Sequence, residues 1–181
     1  RRPVDLQRVG GVANGSTWYD RTNYYETVPS AHLDLALWLE SDRMGFLLPA
    51  LDQQKLDTQR DVVMNERRQR VDNQPYGRPY ERLFELLVPP GHPYRWPVIG
   101  TMDDIASATL EDVRAFFETW YVPNNAVLTL AGDIDPGAAL ASVERWFGEL
   151  APGPRPQRGS FALPPLEAAV GALLKSRGAT L

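Results

Sequence analysis

The sequence predicts an α+β domain, a mixed or antiparallel sheet with helices packed on one face. Three observations carry this. Two short runs rich in Thr, Trp and Tyr lie at 12–28, separated by the turn-forming "YDRT". Three segments with apolar residues at helical spacing follow in succession up to Pro89 and Pro90, and a fourth begins after Thr109. An alternating apolar run at 126–131 then leads into a last helical segment. Strands and helices grouped in this way build a sheet with helices on one side.

In order along the chain, "GGVANGSTWYDRTNYYETVP" gives one strand near 12–18 and a second near 21–28, because Thr, Trp and Tyr suit a pleated surface. Pro29 ends the second. "SAHLDLALWLESDRMG" reads as a helix with Ser30 as N-cap, ending near Gly45, its Leu33, Leu35, Leu37, Trp38, Leu39 and Met44 supplying buried surface. "LDQQKLDTQRDVVMNERRQRVDN" is a longer amphipathic helix starting close to Asp52, with Leu56, Val63 and Arg67 on related faces. "GRPYERLFELLVPP" is the third helix. Residues 91–108 read as a long connection, and Thr109 caps "LEDVRAFFETWY", where Glu111 or Asp112 suits the first turn. "DPGAALASVERWFGEL" is the last helix, with Pro136 near its first position. "APGPRPQRGS" is a linker, and 161–181 has an apolar centre without an assignable state. The expected organisation is a domain over 1–150 and a linker and tail over 151–181.

Composition removes whole classes of function. With 181 residues, 43% hydrophobic and 23% charged, the chain has the make-up of a globular domain with its own core. A net charge of −4 leaves no basic footprint for nucleic acid. No apolar run approaches the roughly 18 residues of a membrane span. There is no Cys, so disulfide frameworks and thiolate metal sites are excluded. G-x-S-x-G, the dinucleotide glycine pattern and the P-loop are all absent. Of the two histidines, neither His32 nor His92 has a second His three or four residues away, and both read as packing or surface residues.

Glu66 is the residue on which the functional question turns. By composition it is a solvated carboxylate on a polar helix face, with Arg67, Arg68 and Arg70 placed to screen it. Gln59 stands seven residues earlier, two helical turns away on the same face. Such a pair lines a site or faces water, and the residues alone do not choose.

Taken together, "GGVANGSTWYDRTNYYETVP", "LALWLESDRM", "QRDVVMNERRQRVDNQPYGRPYE", "HPYRWPVIGTMDDI", "FFETWYVPNNAVLTLAGDIDP" and "WFGEL" resemble, in order and spacing, the pitrilysin family of zinc metallopeptidases, in its bacterial form. The resemblance covers about 9–150. It implies a fragment of a first domain whose parent hydrolyses peptide bonds with zinc-activated water. It implies that Glu66 is the third zinc ligand, the other two coming from an H-x-x-E-H helix. It places Gln59 where the family often has a Glu that supports the ligand, and a neutral amide supports a metal less well. Asn14, Gly15, Ser16 and Thr17 match the strand edge that grips an extended peptide by backbone pairing.

No H-x-x-E-H occurs in these 181 residues, so no catalytic residue, including the general-base Glu, is expected within them. The expectation is a chain without tight zinc and without peptidase activity of its own. A second domain or second family subunit is the implied partner, with self-association through surface left uncovered. Exported bacterial members imply an extracytoplasmic location. The alternative is a non-catalytic family member that serves as a partner subunit or peptide-binding module.

Overall fold

A computed structural model describes residues 6–165. The chain is α+β and rich in helix. Among the described residues its sheet is a single antiparallel pair, β1 (Val12–Trp18) and β2 (Arg21–Thr27). The register runs from Val12 opposite Thr27 to Trp18 opposite Arg21, with the two-residue turn Tyr19–Asp20 between. Gly10 and Gly11 lead into β1. Gly10 has φ 77°, a left-handed conformation that favours glycine. A Cβ on Gly11 would stand 2.9 Å from Val28 Cγ1 and 3.0 Å from the Leu6 carbonyl oxygen.

The described helices are α1 (Leu33–Phe46), α2 (Gln53–Arg67), α3 (Pro79–Leu87), α4 (Met102–Ser107), α5 (Leu110–Trp120) and α6 (Pro136–Phe147). They fall into two compact units that interleave in sequence: residues up to Leu51 with Glu111–Gln157, and Asp52–Leu110 with the residues from Arg158. No helix among the described residues is long and apolar enough to cross a membrane.

The first unit holds the hairpin, α1 and α6. Its core gathers Leu6, Leu37, Leu39, Val122 and Ala139. Asp34 ties α1 to α6: its carboxylate accepts from Arg145 Nη1 at 3.1 Å and from the Trp146 indole N–H at 3.3 Å. The Ser142 hydroxyl, with Trp146 and Arg145, holds the Asp34 carboxyl below the usual carboxylate range. Ser30 does not cap α1. Ser30–His32 instead form a 3-10 turn, and the helix starts at Leu33 without a side-chain cap. The apolar residues of α1 cover more than one face, so the signal for its start was weak.

Tyr24 of β2 and Tyr121 beyond α5 bring their hydroxyls to 3.2 Å, while the Arg43 guanidinium lies 3.3 Å above the Tyr24 ring. Burial, then the bond to Tyr121, pushes the Tyr24 phenol up from 10.0 to about 12. A phenol whose folded value is raised contributes stability that is present below the unfolded value and is lost as pH rises through the folded one. The chain should therefore lose stability between pH 10 and about 12. Tyr24→Phe should flatten that stretch of the stability–pH curve; an identical curve for the variant would remove the assignment.

The second unit holds α2, α3 and α4 around Leu56, Val88 and Ile105. Asp52, near which the helix was expected to start, caps α2 by accepting from the Lys55 N–H at 2.8 Å. Pro79 sits in the first turn of α3. Arg95 reaches the carbonyls of Glu85 and Val88 at 2.6 and 2.5 Å and so satisfies the C-terminal end of α3.

Two further expectations differ from the structure. The connection 91–108 contains a helix, α4, closed at its start by a capping box between Thr101 and Asp104. The Thr101 hydroxyl also holds the Asp104 carboxyl below its usual range. At six residues α4 is too short to show periodicity, although T-x-x-D was present as a start signal. The run 126–131 is not a strand. Alternation makes a segment able to pair, but a ladder needs a neighbour, and no strand lies beside it among the described residues. Residues 151–165 carry no helix or strand, and the remaining tail from 166 lies outside the described residues.

Candidate functional site

The residues singled out by sequence occupy two places, one in each compact unit. Glu66 is in the last turn of α2. Its side chain is 39% exposed, and Oε1 lies 2.9 Å from Arg70 Nη1, one turn on. Of the three arginines placed to screen it, only Arg70 does so. Arg68 turns to Asn65, and Arg67 turns inward to Glu81 and Gly100. An exposed i,i+4 pair contributes about 0.3–0.5 kcal/mol, so Glu66 is available to a stronger cation.

Gln59 is exposed on the same helix. Seven residues rise roughly 10 Å along an α-helix, so the two side chains share a direction without being in reach of a direct bond.

The residue after Glu66 behaves differently from a screening charge. Arg67 is buried, 4% exposed, and spans the unit. Its Nη1 and Nη2 donate to the two oxygens of Glu81 at 2.8 and 3.1 Å, a bidentate fork. Nη1 also donates to the Gly100 carbonyl at 2.5 Å. Nε has no hydrogen-bond partner and stands 3.6 Å from Asp72 Oδ2. Directly after Arg67 the helix widens into a π turn, Arg68–Asp72. Asp72 in turn pairs with Arg78 at 2.7 Å.

Two further features mark the same segment. Tyr76 adopts φ 55°, unusual for a residue with a side chain. Gly77 lies so close to the π turn that a Cβ on it would collide with the Val71 carbonyl oxygen. No composition signal announces a π turn, and a buried arginine is recognisable only through partners distant in sequence.

In the other unit Asn14, Gly15, Ser16 and Thr17 lie in the middle of β1, mostly exposed. Asn14 Oδ1 accepts from the Gly15 N–H at 2.8 Å, and the Ser16 hydroxyl accepts from Arg21 at 2.9 Å. The sheet has two strands among the described residues, so within them β1 pairs along one edge only.

A catalytic zinc takes three protein ligands and keeps a position for water. No group of three or more His, Cys, Asp or Glu among the described residues is placed to hold a metal. His92 is buried, its Nδ1 accepts from the Tyr94 N–H at 3.1 Å, and its ring packs edge-on to Tyr94 and Phe161. It is a packing residue. The donor Glu66 offers is one carboxylate, and these residues do not by themselves fit a catalytic zinc. The first unit also holds an open groove of about 440 Å³ lined in part by Asp34, Asp133 and Asp135. Asp34 is bonded as described, and Asp135 caps α6.

Comparison with known proteins adds a family and three relatives. Residues 107–172 match the family described as the peptidase M16 inactive domain. The zinc protease PqqE of Helicobacter pylori is 41% identical over 145 residues, which make up 80% of this chain and 32% of that protein. A crystal structure of a protease from Helicobacter pylori superposes with a TM-score of 0.77 at 35% identity, covering 91% of this chain and 38% of the other. The ferredoxin protease FusC, in complex with Arabidopsis ferredoxin, superposes with a TM-score of 0.75 at 26% identity, covering 90% of this chain and 18% of the other. The chain spans about a third of the length of the curated relatives it matches.

Proposed function

Because the chain belongs to the pitrilysin (M16) family of peptidases, we propose that it is part of the first domain of a zinc-dependent endopeptidase. Within it, Glu66 is one ligand of the metal and β1 is the edge to which an extended peptide adds. Zinc, when bound, supplies an activated water for hydrolysis. The observation that carries the reading is Glu66 itself: a half-exposed carboxylate inside "VVMNERRQ", paired with an exposed arginine. Gln59 supports the same face from two turns away.

The peptide edge rests on β1. An incoming strand would pair along the edge that β2 does not occupy and replace the local bond from Gly15 to Asn14. Backbone pairing accepts any extended sequence, which suits a peptidase of broad reach. FusC is in complex with a protein, ferredoxin, and a polypeptide substrate is proposed here on the same footing. A second domain or second subunit is the proposed partner, and an extracytoplasmic location is proposed for the whole protein.

The 181 residues contain no H-x-x-E-H, and the chain as it stands is proposed to have no peptidase activity and no tight zinc. The match of 107–172 to the inactive-domain description favours one other reading, a non-catalytic partner subunit. The coding sequence upstream of Arg1 separates them: an intact H-x-x-E-H belongs to the peptidase, a degraded one to the partner.

The direct experiment is zinc content and peptide cleavage in the longer gene product. Glu66→Gln should lower both by about 100-fold or more, since even residues behind a metal ligand cost 10- to 100-fold. Retained zinc in that variant would sink the assignment. Chelator-sensitive cleavage of an unstructured peptide by the 181-residue chain would sink the inactivity.

A further inference from the structure

Glu66 and Arg67 are adjacent, and successive residues on an α-helix are rotated by about 100°. Where Arg67 points therefore decides where Glu66 points. Helix ends fray within their last turn unless something holds them. Here Arg67 is driven into the unit, forked on Glu81 from α3 and bonded to the Gly100 carbonyl before α4. The backbone beyond it is equally constrained, by the π turn, by Tyr76 at φ 55° and by the close approach of Gly77. Backbone of uncommon geometry persists only where its surroundings over-determine it, and such places cluster near functional residues.

We propose that Arg67 is a positioning residue: its buried fork with Glu81 and Gly100 fixes the rotation of the last turn of α2, and with it the direction in which the Glu66 carboxylate leaves the helix. Its purpose rests on the reading of Glu66 as a metal-ligating carboxylate; its geometry does not. Lysine cannot replace it, since an ammonium has no planar fork to engage both Glu81 oxygens and the carbonyl together.

The chain has no cysteine, so Glu66→Cys and Gln59→Cys each provide a single thiol for a nitroxide label. Electron paramagnetic resonance line shapes then report the two ends of one helix face. In the Arg67→Lys and Glu81→Gln backgrounds, the label at 66 should gain mobility, its correlation time falling by about twofold or more. The label at 59 should not change. Glu81→Gln keeps the shape of the site and weakens only the fork, so it reads the effect if Arg67→Lys fails to fold. An unchanged label at 66 in a variant with native circular dichroism would overturn the inference. Equal loosening at 59 and 66 would also overturn it, since that is what a general stabiliser does. The zinc test is separate. Loss of zinc in Glu66→Gln with an unmoved label leaves the metal reading standing and removes Arg67, and the opposite result does the reverse.

Discussion

Arg67→Met should destabilise the second unit by about 3–5 kcal/mol, the usual cost of stranding one partner of a buried ion pair. The side chains of Glu81 and Asp72 are only 17% and 18% exposed, and both Glu81 oxygens would lose the fork that now satisfies them. The Gly100 carbonyl would lose a donor as well. Chemical denaturation would report this as a lower midpoint at constant slope. Arg70→Ala is the control, because its pair with Glu66 is exposed and its removal should change stability by less than about 1 kcal/mol. Equal effects of the two substitutions would mean that the buried fork has no special weight.

Gly77→Ala should cost about 3 kcal/mol, the upper end of what overpacking usually does. The added methyl would collide with the Val71 carbonyl oxygen and stand 2.8 Å from the Val71 carbonyl carbon. Both are backbone atoms, so no side chain can swing aside, and the π turn itself must shift. A urea titration of Gly77→Ala with an unaltered midpoint would show that the 68–78 segment yields freely.

These two positions mark where sequence reading stopped. The hairpin was legible because Thr, Trp and Tyr crowd two short runs around a turn, and its observed strands end within a residue of the expected ones. The starts of α2 and α6 were legible near Asp52 and from Pro136, and the structure adds that Asp52 and Asp135 are their side-chain caps. Each of these features is local. The π turn is not written in composition, and Arg67, though on a face related to that of Leu56 and Val63, has no visible reason to be buried until Glu81, 14 residues on, and Gly100, 33 on, fold against it. The run at 126–131 failed in the opposite direction: its pattern is local, but the neighbour a strand requires is not. Glu66 emerged only through family resemblance, since its own neighbours describe a screened surface charge. The structure agrees with that description as far as Arg70.

The bare segment after Asn125 has a consequence for handling the molecule. Val127 is 93% exposed and Leu128 45%, in a stretch without proline or charge. A β-prone backbone left open in this way is a template on which a like segment can dock, and the docking rate climbs with the square of concentration. Storage as a dilute solution should preserve monodispersity, and thioflavin fluorescence should appear sooner in concentrated stocks. Val127→Lys would delay it, whereas a lag time indifferent to concentration would point to another nucleus.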